Sequence, residues 1–311
     1  MSDSLYLPLA ASELDRDATA RDHPDLFDLL WANPLTKVLV MFEGQVLLNE
    51  QASALRLLGV EQVPSAQLRA YLGKTLQSQG NEPAGSPIVL AVLSKNSADQ
   101  LVNHDAWQGL RKSGVGLTPR DVGLYTQALA LANWHQAHPH CPACGTPTVV
   151  QQGGWSRRCF NDERQVFPRT DPAIIVSVID DQDRILLGGQ RVWETNRWSV
   201  LAGYVEPGES LDAAVVREVF EEAGVVATEP KFLGSQAWPF PYSLMLGFTA
   251  AVAPSAQGVD PTPDGEEIVR ARWFTRAELI AEAPEMLLPS KLTIARALID
   301  RWLGQELPGH V

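Results

Sequence analysis

Three glutamates, Glu218, Glu221 and Glu222, fall within one short segment, GYVEPGESLDAAVVREVFEEAGV (203–225). If 211–223 is helical they stand at i, i+3 and i+4 and share a face. Ala214, Val215 and Val219 lie on another face that can pack on a sheet. Like charges at this spacing cost roughly a few tenths of a kcal/mol per pair. Two readings of such a face are open: a solvated acidic surface, or the ligands of a hard divalent cation. Mg²⁺ takes oxygen ligands, keeps several waters and bridges carboxylates to phosphates. A cation held in this way would neutralise charge on a bound phosphate.

A second constellation is Cys141-x2-Cys144 followed by Cys159-x2-Asp162. Structural zinc is closed by four ligands, typically from two C-x-x-C knuckles, and three of the four positions here are cysteine. Zinc accepts carboxylate oxygen, so Asp162 is expected to close the tetrahedron. His138 and His140 are less well spaced alternatives, and a metal-free ribbon standing by packing alone is the rival reading.

A third is SQAWPFPYS (235–243), where prolines alternate with Trp238 and Phe240. Fixed backbone angles make the pair a stiff aromatic surface for a planar ring, worth about 1–3 kcal/mol per stacked nucleobase. Aromatics buried beside a Pro-rich turn give the same pattern.

The elements that position these groups are legible in outline. TKVLVMFEGQVLL (36–48) reads as a hairpin turning at Glu43-Gly44, and PIVLAVL (87–93) as a strand, while 65–86 reads as part helix and then loop. Thr118 caps a helix that has Pro119 at its first position and ends near His138. Further strands are expected at 173–180, 184–190, 229–238, 243–253 and 268–274, a helix over 211–223 and a final amphipathic helix over 289–304. No internal repeat is visible. The expected organisation is an N-terminal α+β domain (1–117), a connecting helix (118–138), a zinc-ribbon-like segment (139–168) and a catalytic α/β domain (169–311).

The pattern Gly203-x5-Glu209-x7-Arg217-Glu218-Val219-x-Glu221-Glu222-x-Gly224-Val225 resembles the Nudix box, with every defined position filled. SQAWPFPYS is similar to the S-Q-P-W-P-F-P-x-S motif of the NADH pyrophosphatase branch, with Ala237 where that branch has Pro. The resemblance covers roughly 119–300, and it implies an α/β/α sandwich with a ribbon insert. It implies that Glu218, Glu221, Glu222, Glu267 and the Ala202 carbonyl hold Mg²⁺ or Mn²⁺, with Glu222 the first choice of base and Glu221 or Glu218 next. Gly203, Glu209, Arg217 and Gly224 would shape the box. Phe167, Tyr204, Gln236, Ala237, Trp238, Pro239, Phe240, Pro241, Tyr242, Ser243 and Ala295 would contact substrate. The family's ribbon has four cysteines, so Asp162 stands in place of the fourth thiolate.

The implied activity is metal-dependent hydrolysis of NAD(H) to nicotinamide mononucleotide and AMP, extending to NAD caps on RNA, by a homodimer. The alternatives are ADP-ribose or diadenosine polyphosphates as substrate, or a non-catalytic nucleotide- or RNA-binding module. The net charge of −12 argues against nucleic-acid binding that depends mainly on a basic footprint. No apolar run approaches the roughly 20 residues of a membrane span. No secretory signal is legible, and three cysteines are too few for a disulfide scaffold, so a cytoplasmic location is expected.

Overall fold

The computed structural model describes residues 5–80, 82–102, 106–256 and 258–307. Two compact units divide the chain: an N-terminal unit of Ala11–Thr170 with Trp238–Tyr242, and a C-terminal unit of Met1–Ala10, Asp171–Ala237 and Ser243–Val311. Among the described residues no helix is long and apolar enough to cross a membrane.

The N-terminal unit carries strands β1 (Leu14–Asp15), β2 (Lys37–Phe42), β3 (Gln45–Leu47), β4 (Leu58–Gly59), β5 (Ala66–Thr75), β6 (Pro87–Leu93) and β7 (Trp107–Gly109). Its helices are α1 (Leu26–Ala32), α2 (Lys95–Asp99), α3 (Leu110–Ser113) and α4 (Pro119–Ala137). Glu43 and Gly44 both take positive φ, 49° and 74°, the two-residue turn whose twist suits a hairpin. Thr118 caps α4 by accepting from Asp121 N, with Pro119 behind it.

The segment expected to be part helical is instead β5, paired antiparallel with β6. Its solvent-facing and inward residues alternate at Ala66–Arg69 before a fully buried run, Ala70–Leu72. Leu72, Tyr71 and Ala70 are sealed by sheet neighbours, and that packing overrides the helix propensity of Leu, Ala and Lys. Three short strands, β8 (Val149–Gln151), β9 (Ser156–Arg158) and β10 (Gln165–Val166), form the ribbon sheet in the order β10-β9-β8.

The C-terminal unit contains β11 (Asp171–Ile179), β12 (Ile185–Gln190), β13 (Leu201–Tyr204), α5 (Leu211–Ala223), β14 (Ala227–Trp238), β15 (Ser243–Val252), β16 (Ile268–Phe274), α6 (Arg276–Glu282) and α7 (Ile294–Leu303). Trp238 ends β14 but belongs by its contacts to the N-terminal unit. The sheet runs β14-β15-β11-β12-β16, with β13 on β11 and with β11 and β15 parallel. β11 is buried on both faces, which is why it reads as a continuous apolar run. Ile174, Val176 and Val178 face one core with α5's Ala214, Val215 and Val219; Ile175 faces the other with Ile185, Leu298 and Ile299. Helices therefore cover both faces, an α/β/α sandwich. The last helix begins later than its amphipathic pattern, because Thr293 caps it by accepting from Arg296 N.

A repeat absent from the sequence reading is present in the topology. In the N-terminal unit β5-β6-β2-β3-β7 run in order, with β4 on β2 and with β2 and β6 parallel. This matches β14-β15-β11-β12-β16 with β13 on β11, strand for strand. The two sheets differ after the off-path strand. Only residues 60–65 separate β4 from β5, whereas 205–226 between β13 and β14 hold α5. The N-terminal unit has the same sheet without the carboxylate helix.

Candidate active site

Helix α5 is held by its apolar stripe rather than by its charges. Ser210 caps it by accepting from Ala213 N, and Gly224 closes it at φ 65°, a left-handed position suited to glycine. Burying Val215 and Val219 contributes about 1.5–3 kcal/mol each. The like-charge cost along the glutamate face is about ten times smaller. The packing wins, and the carboxylates are carried into place.

Arg217 organises the exposed side of that face. Its Nε and Nη2 donate to the two oxygens of Glu209, each at 2.8 Å, a bidentate pair. Nη1 donates to Glu218 and Glu221, each at 2.9 Å, and Nη2 also reaches the Tyr204 carbonyl at 3.0 Å. The Arg217 hydrogen bonds hold Glu209 below the usual carboxylate range. Burial pushes Glu218 up, with Arg217 pulling the other way. Gly203 faces this carboxylate so closely that a Cβ there would sit 2.0 Å from Glu218 Cδ.

Glu222 is different. It is 4% exposed, and its Oε2 has no hydrogen-bond partner among the described residues. Burial first, and then the charges of Glu267, Glu218 and Asp264, push its carboxyl up to about 8; a hydrogen bond with the Ala202 backbone opposes the shift in part. The connection between β15 and β16 brings the last two acids in. Thr262 N donates to Ala223 O at 2.7 Å, and Asp264 N to Glu222 O at 3.3 Å. Asp264 Oδ1 then accepts from Glu266, Glu267 and Ile268 N, and Gln190 Nε2 donates to Glu267 at 3.1 Å.

An orphaned buried carboxylate oxygen, an all-oxygen donor set and mutual repulsion among acids fit a hard divalent cation. The solvated-face reading describes Glu221, which is exposed, and not Glu222. Asp264 and Gln190 were missed by sequence reasoning. Asp264 was findable as an Asx turn in D-G-E-E, while nothing in the sequence singles out Gln190.

The remaining candidates divide between the units. In the C-terminal unit Tyr204 Oη and Ser243 Oγ lie 3.1 Å apart, with Tyr204 58% exposed. Gln236 is buried and donates to Leu292 O at 2.9 Å. Ala295 is buried in the core beneath α7. In the N-terminal unit Trp238 and Phe240 meet edge to face at 4.8 Å, and the Arg111 guanidinium stacks 4.2 Å from the Phe240 ring. Phe167 is 58% exposed. Arg111 carries no sequence signal, because the contact is long-range.

The ribbon brings its four expected ligands together: one donor atom each from Cys141, Cys144, Cys159 and Asp162 lies within 4.8 Å of the others. Cys141 Sγ is 3.2 Å from Asp162 Oδ2, and Cys144 Sγ 3.5 Å from Cys159 Sγ. His138 instead packs edge-on against Tyr242, with its Nδ1 3.3 Å from Trp134 O. Thiolates and a carboxylate at this separation suit Zn²⁺.

Two outcomes test the carboxylate site. Gly203→Ala displaces Glu218 and is expected to weaken activation by Mg²⁺ by about 10–100-fold, read by metal titration of the rate. Glu222 in the metal-free fold keeps a proton that the unfolded chain releases from its ordinary 4.5. Its contribution to stability is therefore full below pH 4.5 and is lost as pH rises toward about 8. The rise in Tm on adding Mg²⁺ should be larger at pH 8 than at pH 5.5, and Glu222→Gln should flatten that difference; an equal rise at both pH values contradicts it.

Three family models match: the NUDIX domain over residues 168–298, the NADH pyrophosphatase zinc ribbon domain over 136–167 and the NADH pyrophosphatase-like rudimentary NUDIX domain over 35–134. A protein of Mycobacterium tuberculosis named NAD-capped RNA hydrolase NudC is 40% identical over 62% of this chain and 64% of its own length. The match thus spans less than two thirds of that relative. A Pseudomonas syringae protein of the same name is 38% identical over 71% of this chain and 75% of its own. Among solved structures, a NUDIX hydrolase from Nitrosomonas europaea is 20% identical, covering 54% of this chain and 94% of that one at a TM-score of 0.40. The rudimentary domain is the sheet that lacks the carboxylate helix, the complete one carries it, and the chain belongs to the Nudix family, in the branch that bears the NADH pyrophosphatase zinc ribbon.

Proposed function

We propose that this protein hydrolyses the pyrophosphate bond of NAD(H), giving nicotinamide mononucleotide and AMP, and removes NAD caps from RNA 5′ ends. The observation that carries the hydrolytic reading is Glu222, a buried carboxylate with an orphaned oxygen amid Glu218, Glu267 and Asp264. Support for the substrate comes from the relatives' name and from SQAWPFPYS.

Glu218, Glu221, Glu222, Glu267 and the Ala202 carbonyl would hold Mg²⁺ or Mn²⁺. A bound ion of that kind supplies neutralisation of phosphate charge and a lowered pKa for water. The protein's own part is to hold the acids and to move a proton. Arg217 fixes Glu209 and Glu218 so that neither swings into solvent. Glu222 is the proposed base: the proton it keeps in the metal-free fold would be lost beside a bound cation, leaving the carboxylate able to take one from water. Phe167, Tyr204, Trp238 and Phe240 are proposed to stack the planar rings. Gln236, Ala237, Pro239, Pro241, Tyr242, Ser243 and Ala295 would bound the substrate.

The reading extends to zinc held by Cys141, Cys144, Cys159 and Asp162, to a homodimer and to a cytoplasmic location. The last is supported by a cysteine count, three, too small for a disulfide scaffold. The proposed domain limits remain 1–117, 118–138, 139–168 and 169–311.

The test is incubation with Mg²⁺ or Mn²⁺ and NADH, NAD⁺, ADP-ribose, diadenosine polyphosphate and NAD-capped RNA, with the products identified. Release of nicotinamide mononucleotide from NADH or capped RNA is expected, and its absence from every NAD-containing substrate sinks the assignment. Glu222→Gln should lower kcat by about 10²–10⁴-fold, and retention of the full rate refutes the choice of base. Metal analysis of the purified protein should find one zinc per chain, lost or weakened in Asp162→Ala.

A further inference from the structure

Helix α4 does more than connect. We infer that Asn133, on α4, is a positioning residue that sets the aromatic loop Trp238–Tyr242, and so governs how tightly substrate binds without touching the reacting atoms. The inference rests on the reading of SQAWPFPYS as a substrate-contacting segment.

The loop has an unusual need. Pro239 and Pro241 carry no N–H, so two of its five residues cannot donate a backbone hydrogen bond, yet every carbonyl remains an acceptor. Within the loop Phe240 N donates to Trp238 O at 2.7 Å. The carbonyls of Pro239 and Pro241 are instead taken by one side chain from elsewhere. Asn133 Nδ2 donates to Pro239 O at 2.9 Å and to Pro241 O at 3.2 Å, across 106 and 108 residues of sequence. An amide NH₂ has two hydrogens, one for each carbonyl.

Pro239 O lies in the peptide that leads into Phe240 and Pro241 O in the peptide that leads into Tyr242, so fixing both holds the backbone before Phe240 and after Pro241. Trp238 follows, because it meets Phe240 edge to face at 63°. His138, at the end of the same helix, packs on Tyr242 at 5.6 Å and anchors the far side of the loop. Asn133 is half-buried and precedes the sealed Trp134, so the helix that presents it is itself held rigidly. Arg111, stacked on Phe240, touches the ring but bonds neither carbonyl, and cannot replace the clamp.

Chemistry distinguishes a clamp from a space-filler. Asn133→Asp keeps the shape but turns a donor into an acceptor facing two carbonyl oxygens, so it should be worse than Asn133→Ala. A side chain that only fills space would rank them the other way. Asn133→Gln keeps the amide on a longer stem and should recover part of the loss.

Two measurements on the full-length protein decide the matter. Hydrogen exchange of a peptide spanning 236–243 should rise in Asn133→Ala and more in Asn133→Asp, with exchange in 211–223 unchanged. Steady-state kinetics with NADH should show KM raised by about 10-fold in Asn133→Ala and kcat within twofold of wild type, with the Mg²⁺ activation constant unmoved. Unchanged exchange in the loop overturns the clamp, whatever the kinetics. Raised exchange with unaltered KM overturns its role in binding. If the wild-type protein cleaves no NAD-containing substrate, the functional reading fails, and exchange still decides whether Asn133 holds the loop.

Discussion

The C-terminal unit depends on one electrostatic constraint: the carboxyl of Glu222 is buried beside other acids, and no cation among the described residues pairs with it. Arg217 is the natural candidate, one turn away on the same helix, but its donors are committed to Glu209, Glu218, Glu221 and the Tyr204 carbonyl. The arrangement divides the acids into two sets. Glu209 and the outer glutamates are neutralised by the protein itself. Glu222, buried beside Glu218, Glu267 and Asp264, has no such partner, and burial holds its carboxyl well above the usual range. Such an arrangement suits the divalent cation proposed for it, and the apolar packing of α5 is strong enough to hold the acids together without one.

The same packing explains the relation between the two sheets. Both have the same strand order, and both have a parallel pair at the centre. Only one inserts a helix after the off-path strand. Without α5 there is no surface on which three glutamates can be brought together, because residues 60–65 are too few to form the required turns. The N-terminal unit has the same scaffold without the helix that carries the glutamates. Its α4 and α3 instead supply Asn133 and Arg111 to the aromatic loop.

The box, the ribbon cysteines and the aromatic motif were legible because each is local: fixed spacing on a helix, a knuckle or a Pro-rich turn. Asp264, Gln190, Arg111 and Asn133 were not singled out, since three of them act through partners far away in sequence. The strand at Ala66–Thr75 escaped because its inner half is buried on both sides and shows no alternation. Burial of Glu222 could not be told from exposure of Glu221 by periodicity alone. The two are adjacent, and the difference of about 100° in direction decides which enters the core. The repeated topology was invisible for another reason. A sheet order is set by pairing between distant strands, and many sequences satisfy the same pairing.

Asp162 raises the question of what a carboxylate does where a thiolate is the rule. One of its oxygens accepts from Arg164 N at 3.0 Å, closing the turn of the second knuckle, while the other lies 3.2 Å from Cys141 Sγ. A thiolate has one atom for both tasks; the carboxylate has two. Formal charge is unchanged when Asp replaces Cys, so a divalent ion is neutralised as before. What changes is reach and hardness, since a Zn–O bond of about 2.0–2.2 Å is shorter than a Zn–S bond of about 2.3 Å. Cys141 and Cys159 are sealed and Asp162 is exposed, so the oxygen donor occupies the solvent side, where the ribbon can adjust to the shorter bond without disturbing its core.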